Sequence, residues 1–232
     1  LTFGGFANET APIGFFTLIA GKNGNGKSAM LDAIKYAAYG DTVFNKSSEG
    51  KGSRTVSSYT RGLLDATAGT YMRPPEKVPN VYSHIVLEFF DQAEEKNFLL
   101  GVVIETNASN NYQTYRYVID RKSMEEINHT YDKEGILMPY SATELQKQYR
   151  LTLLNREQGL PKFMQMTGLK LGINQMPTYL RKLRGIMSYD PEAKIDRFIR
   201  ESVLEEKNVD FSKLIEAKNN IERLNHTFHA VQ

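Results

Sequence analysis

The sequence predicts an α/β fold: a strand, a glycine-rich loop and a helix, joined to an antiparallel β meander and a helical C-terminal part. Three observations predict it. An apolar run over residues 15–20 stops at Gly21 and is followed, past a glycine-rich stretch, by an amphipathic segment over residues 29–40. Three strand-like runs between Tyr82 and Asp120 are separated only by short polar turns. From Ser141 onward the pattern is mostly helical.

The first element carries the chemistry. Residues 1–6 read as a short strand, Asn8 to Pro12 as a turn, and residues 15–20 as a second strand, making a parallel-sheet core with the helix that follows. That strand feeds Gly21-Lys22-Asn23-Gly24-Asn25-Gly26-Lys27-Ser28, which fits the spacing G-x-x-x-x-G-K-[ST] at every fixed position. Gly21, Gly24 and Gly26 let the backbone curl so that successive N–H groups point into one hollow. A nest of this kind opening onto a helix N-terminus is an anion site. Lys27 is placed to reach the β- and γ-phosphates of a nucleotide, and the Ser28 hydroxyl to sit on Mg²⁺. A chance glycine-rich turn would lack the flanking strand and helix. Met30, Leu31, Ile34, Ala37 and Ala38 form an apolar stripe at helical spacing, and Gly40 is placed as the C-cap. Leu1-Thr2-Phe3-Gly4-Gly5 resembles the LSGG signature of ABC-type ATPases only superficially: it lacks the serine and precedes the loop.

Residues 41–53 are a polar loop. Residues 54–64 read as a short helix with Val56, Tyr59, Leu63 and Leu64 on one side. The second loop, residues 66–79, contains Arg73-Pro74-Pro75, which is incompatible with helix. The runs 82–90, 97–105 and 112–120 are strands, and their short connections imply antiparallel neighbours. Ser141 and Glu144 make a capping box that opens a helix to about Leu154. Gly159, Pro161, Gly168, Gly172 and Pro177 then divide the chain into short pieces. Better helices follow over residues 177–187 and 192–204, the latter opened by Asp190-Pro191. Leu214, Ala217, Ile221, Leu224, Phe228 and Val231 follow 3-4-3-4-3 spacing, either an a/d coiled-coil seam or an amphipathic core helix.

The composition sets outer limits. The chain has 232 residues, 41% of them apolar or aromatic, which suffices for one large domain or a domain with an appendage. No apolar run approaches a membrane span. A net charge of +2 makes any DNA contact local. The absence of cysteine excludes disulfides and thiolate metal sites and agrees with a reducing compartment. The chain begins at Leu1, with no methionine and no signal-like segment, and reads as a portion of something longer.

A phosphate loop alone binds nucleotide, whereas hydrolysis needs an acidic strand end to hold Mg²⁺ and polarise water. The nearest sequences are residues 117–120, ending in Asp120, and residues 102–105, ending in Glu105. Both lie in the meander, and Arg121 and Lys122 follow Asp120 in place of a second carboxylate. Asn45-Lys46-Ser47-Ser48 fails as a guanine reader at its last position, which argues against a small GTPase. A loop without its acidic strand, plus a terminal heptad, describes half of a split ATPase.

Residues 23–28 followed by Leu31-Asp32-Ala33-Ile34 resemble the NGxGKS…LDAI run of SMC-type ATPases, which belong to the ABC class. Residues 41–46, 54–62 and 198–206 resemble the MukB-like subgroup that includes JetC of the Wadjet plasmid-defence system. The resemblance implies that residues 1–209 are the N-terminal lobe of an ATPase head and residues 210–232 the start of a coiled-coil arm. It implies ATP and Mg²⁺ as cofactors, held by Asn23, Gly24, Asn25, Gly26, Lys27, Ser28 and Ala29. No residue of this lobe is implied as catalytic. A C-terminal lobe of the same head would supply the acidic pair and the signature motif. A second head in a homodimer would complete the ATP sites, so the isolated chain is expected to be inactive.

Further implied partners are a kleisin, a winged-helix subunit, a nuclease subunit and DNA, with no membrane, in the bacterial cytoplasm at nucleoid or plasmid. The function so implied is ATP-driven DNA translocation or loop extrusion in defence against plasmid DNA. SMC heads also carry an arginine that reaches the phosphates: Arg54 is the first candidate and Arg61 the second, with solvated or DNA-facing arginines as the alternative. The glutamine completing Mg²⁺ coordination is assigned to Gln175, with Gln165 and Gln158 as rivals. Lys46, Lys51, Arg54, Arg61 and Arg73 are candidates for a basic, DNA-facing surface. The competing readings are a self-contained kinase-like enzyme, with Arg181, Arg184, Arg197 and Arg200 as a lid, and a nucleotide-binding module that does not hydrolyse.

Overall fold

The computed structural model describes residues 3–4, 9–14, 16–22, 26–44, 54–65 and 68–187. The chain divides into two units, Leu1–Leu180 and Arg181–Gln232, and of the second only residues 181–187 are described. The expected helix over 192–204 and the heptad segment over 210–232 lie outside the described residues.

Helix α1 (Lys27–Tyr39) begins at Gly26, whose φ of 83° is left-handed, and ends at Gly40, whose N–H bonds back to the Tyr36 carbonyl. The cap is as expected, and of the predicted stripe Ala37 and Ala38 are buried, but the rest of the inward face is different. Leu31 is exposed and Met30 and Ile34 are half-buried, while Ala29, Asp32, Lys35, Tyr36 and Tyr39 point inward. Counting apolar side chains misplaced the face because two charged groups that neutralise each other occupy inward positions, Lys35 Nζ standing 3.3 Å from Asp32 Oδ1. Helix α2 (Val56–Arg61) follows from its caps: Thr55 and Ser58 form a reciprocal capping box, and left-handed Gly62 closes it. A small hairpin of β1 (Leu63–Asp65) and β2 (Thr70–Tyr71) comes next.

The meander is the core. Strands β3 (Val81–Asp91), β4 (Lys96–Thr106) and β5 (Tyr112–Asp120) pair antiparallel, with Val81 opposite Thr106 and Leu100 opposite Val118. Both faces of β4 are covered, so it reads as a near-continuous apolar run rather than an alternation. On one face Val102 and Ile104 meet Ala29, Tyr36 and Ala37 of α1. On the other, Val103 and Tyr117 meet Ala142 and Leu145. Gly101 lies opposite Tyr117, and a Cβ there would fall 1.9 Å from the tyrosine Cζ, so the ring takes the space that glycine leaves.

After Asp120 a 3₁₀ turn (Met124–Glu126) leads to a hairpin of β6 (Thr130–Lys133) and β7 (Ile136–Pro139). Its loop is Glu134-Gly135, with φ of 56° and 81°, the twist a two-residue hairpin requires. Ser141 and Glu144 cap α3 (Ala142–Tyr149) as expected, but the helix ends at left-handed Arg150 instead of near Leu154. Leu154 instead enters β8 (Leu154–Asn155), which pairs with β5 and completes a sheet of order β3-β4-β5-β8.

Three expectations need correction. Gly159, Pro161 and Gly168 do not break the chain: α4 (Arg156–Lys170) runs through all three. Phe163 is fully buried against Phe98 and Leu100, and tertiary packing outweighs local propensity. Gly159 is there for closeness, since a Cβ would sit 2.6 Å from that of Leu154. The expected strand over 15–20 is not formed among its described residues: residues 16–20 pair with no strand, and Phe16 and Leu18 are each 91% exposed. A strand needs a neighbouring strand for its N–H and C=O groups, and none is paired with this run among the described residues. Every strand pair among the described residues is therefore antiparallel, and the expected parallel core is not formed among them. Phe3 and Gly4, expected in a first strand, form a bend and turn, with Phe3 buried and stacked on Tyr59 at 4.5 Å. The chain ends its described part in α5 (Met176–Met187), as expected within one residue.

Candidate functional site

The site grows from the junction of loop and helix. The left-handed turn at Gly26 points the chain into α1, so Lys27 and Ser28 are its first two residues. The first intrahelical bond runs from Met30 N–H to the Gly26 carbonyl at 2.9 Å. No side chain caps this end, and the first turn carries no acid. The leading N–H groups and the positive end of the helix dipole are thus uncompensated by any carboxylate there. Lys27 Nζ folds over the loop and donates to the carbonyls of Gly21 at 2.7 Å and Lys22 at 2.9 Å. An ammonium, uncapped helix N–H groups and a hydroxyl form a donor set that fits a nucleotide polyphosphate with Mg²⁺. Asn23, Gly24 and Asn25 lie outside the described residues. The Ala29 side chain is buried in the core cluster, which leaves its backbone N–H as the group to offer a ligand.

Arg54 sits beside α1. Its Nη1 donates to the Tyr59 hydroxyl at 3.1 Å and stands 3.9 Å from Asp32 Oδ2. The Tyr59 hydroxyl in turn donates to Asp32 Oδ2 at 2.5 Å. Burial, and then the carboxylate that accepts its proton, push the Tyr59 phenol far above its ordinary pKa. Lys35 Nζ closes the group by donating to the Val43 carbonyl at 2.8 Å.

Arg61, the second candidate for the phosphates and a member of the expected basic surface, is neither. It is fully buried and donates to the carbonyls of Arg73, Val78, Pro79 and Asn107 and to Asn110 Oδ1. It staples the loop before β3 to the turn between β4 and β5. A guanidinium brings five donors in one plane, enough for a cluster of carbonyls that no strand satisfies. Arg73 is half-buried and donates to the Gly4 carbonyl at 3.2 Å, while Lys46 and Lys51 lie outside the described residues.

Gln175 is exposed just ahead of α5. Its carbonyl accepts from Tyr179 N–H at 3.0 Å and its side chain from Thr178 Oγ1 at 3.4 Å, so it works as a helix start. Gln165 is exposed on α4, which also contains Gln158. Asp120 is ion-paired with Lys170 at 2.7 Å at the end of β5. Among the described residues, no three His, Asp or Glu gather as a metal cluster.

A polar cluster that sequence reasoning missed joins the hairpin β6–β7 to the sheet. His84 Nε2 meets the Tyr140 carbonyl at 2.7 Å, His129 Nε2 meets the Tyr117 hydroxyl at 2.7 Å, and the two imidazoles stand 5.5 Å apart. Burial lowers His84 to about 3, helped by the neighbouring His129, and lowers His129 to about 4. Lone histidines give no sequence signal for such pairing. No described helix is long and apolar enough to cross a membrane.

A family model described as an AAA domain matches residues 3–232. No curated protein matches the chain, and no solved structure matches it.

Proposed function

Because the chain belongs to the AAA-domain family, whose P-loop ATPase domains bind nucleotide, we propose that it is the ATP-binding N-terminal lobe of an SMC-like head. The observation that carries this reading is the loop–helix junction: Lys27 and Ser28 open a helix whose N-terminus has neither a capping side chain nor an acid. Lys27 would exchange the Gly21 and Lys22 carbonyls for phosphate oxygens, and Ser28 would hold Mg²⁺, with Gln175 assigned to it as a second ligand on the family resemblance. Bound Mg²⁺ supplies charge neutralisation at the β- and γ-phosphates. Arg54 is assigned to the same phosphates.

Two features support a half-site. In the apolar run leading into the loop Phe16 and Leu18 are exposed and no strand pairing forms among the described residues, as expected of a strand whose sheet neighbours lie on another lobe. The nearest acidic strand end, Asp120, is engaged with Lys170. DNA translocation with a partner head, kleisin, winged-helix and nuclease subunits, in a JetC-like defence role, rests on the sequence stretches quoted above.

The test is steady-state hydrolysis by purified residues 1–232. The half-site reading expects essentially no ATP turnover. Turnover that Asp120→Asn abolishes overturns it in favour of a self-contained enzyme.

A further inference from the structure

Two cations face the Asp32 carboxylate. Asp32 and Lys35 are both buried and neutralise each other at 3.3 Å. Arg54, with a side chain 30% exposed, is a second positive charge beside the same carboxylate. It stands 3.9 Å from the carboxylate, an ion pair longer than a hydrogen bond, and its hydrogen bond goes instead to the Tyr59 hydroxyl that Asp32 holds. The guanidinium Cζ also lies 5.9 Å from the centre of the Tyr59 ring. Among the described residues, no other hydrogen bond holds this guanidinium.

Asp32 lies four residues after Ser28 on α1, and residues four apart share a helix face one turn from each other. Arg54 is thus set on the Ser28 face of the phosphate-loop helix, with one guanidinium hydrogen bond among the described residues. Tyr59 itself is fixed from three sides. Its ring stacks on Phe3 at 4.5 Å and meets Phe44 edge-on at 5.0 Å, and its hydroxyl is anchored on Asp32.

We infer that Tyr59 is a positioning residue: anchored on Asp32, its hydroxyl aims the Arg54 guanidinium at the phosphates of a nucleotide bound at the loop. The inference rests on the nucleotide-binding reading above. It accounts for a tyrosine hydroxyl that donates to a buried carboxylate and accepts from an arginine, an arrangement that packing alone does not require. A phenylalanine would fill the same space and stack on the same rings.

The test is isothermal titration of the chain with Mg²⁺–ATP and with adenosine, for the wild type, Lys27→Ala, Arg54→Ala, Tyr59→Phe and the Arg54→Ala/Tyr59→Phe pair. Tyr59→Phe is expected to weaken ATP about tenfold and adenosine not at all, and the pair is expected to lose no more than Arg54→Ala alone. If Tyr59→Phe binds ATP as the wild type does while Arg54→Ala weakens it, the positioning role is overturned. So is it if the losses multiply, or if ATP and adenosine weaken alike. Unchanged ATP affinity in Lys27→Ala marks a failure of the nucleotide-binding reading instead. Thermal melting without ligand accompanies each variant, and a melting temperature for Tyr59→Phe within a few degrees of the wild type is the expected result.

Discussion

In β4, Leu99, Leu100, Val102, Val103 and Ile104 are all fully buried, whereas in the run that enters the phosphate loop Phe16 and Leu18 are each 91% exposed. The two stretches are built from similar residues. They differ in what surrounds them. Strand β4 has β3 on one side and β5 on the other, so its backbone groups are paired and its side chains meet helices on both faces. The run before the loop has no strand neighbour among the described residues. An apolar sequence specifies a wish to be buried, and the backbone partner decides whether a strand forms. The meander carries its own strand partners, and the run before the loop pairs with no strand among the described residues.

The largest expected effect sharpens the self-contained side. Arg61→Met removes the donors that hold the segment before β3 and the β4–β5 turn, leaving a cluster of carbonyls without a charged partner. It should cost on the order of 3–5 kcal/mol, read from the urea midpoint. A cost below about 1 kcal/mol would mean that these carbonyls are satisfied some other way.

Leu100→Ala in β4 should cost roughly 2–5 kcal/mol, while Leu18→Ala in the exposed run should stay within about 0.5 kcal/mol. Equal losses in parallel urea melts would erase the contrast.

The next effect is set by pH. His84 and His129 are held neutral, with folded pKa values of about 3 and about 4. Below the unfolded value near 6.5 the unfolded chain takes up protons that the folded chain refuses, so stability is present above that pH and falls as pH drops. Each histidine should remove about 1.4 kcal/mol per pH unit between roughly pH 6 and its folded pKa. His129→Asn should flatten the slope of stability against pH measured from 6.5 to 4.5. An unchanged slope would exclude the cluster from acid sensitivity.

Sequence reading served best where one local rule decides. The caps at Gly40 and Ser141 and the three strands with their polar turns are all local, and all are present. It served worst where the answer depends on residues far along the chain. Pro161 and Gly159 read as breakers, and only the seat of Phe163 on Phe98 and Leu100 shows why the helix persists. Asp32 and Lys35 are no part of the apolar stripe, and only Tyr59 and Val43 beside them show why they face inward. Arg61 looked like a surface or phosphate arginine because spacing says nothing of the carbonyls 12 to 46 residues away that it collects. Glu134-Gly135 between two apolar-bearing runs was a usable hairpin signal that went unread. At the site itself, the loop motif named Lys27 and Ser28, whereas the tyrosine bridge to Arg54 needed three dimensions.

The central claim is that the loop–helix junction binds nucleotide through Lys27, and calorimetric titration of residues 1–232 with Mg²⁺–ATP tests it most directly. The account predicts measurable binding by the wild type and a loss of roughly 1.5–3 kcal/mol in Lys27→Ala, as expected for a charge-assisted phosphate contact. Equal affinity in the two proteins would contradict it.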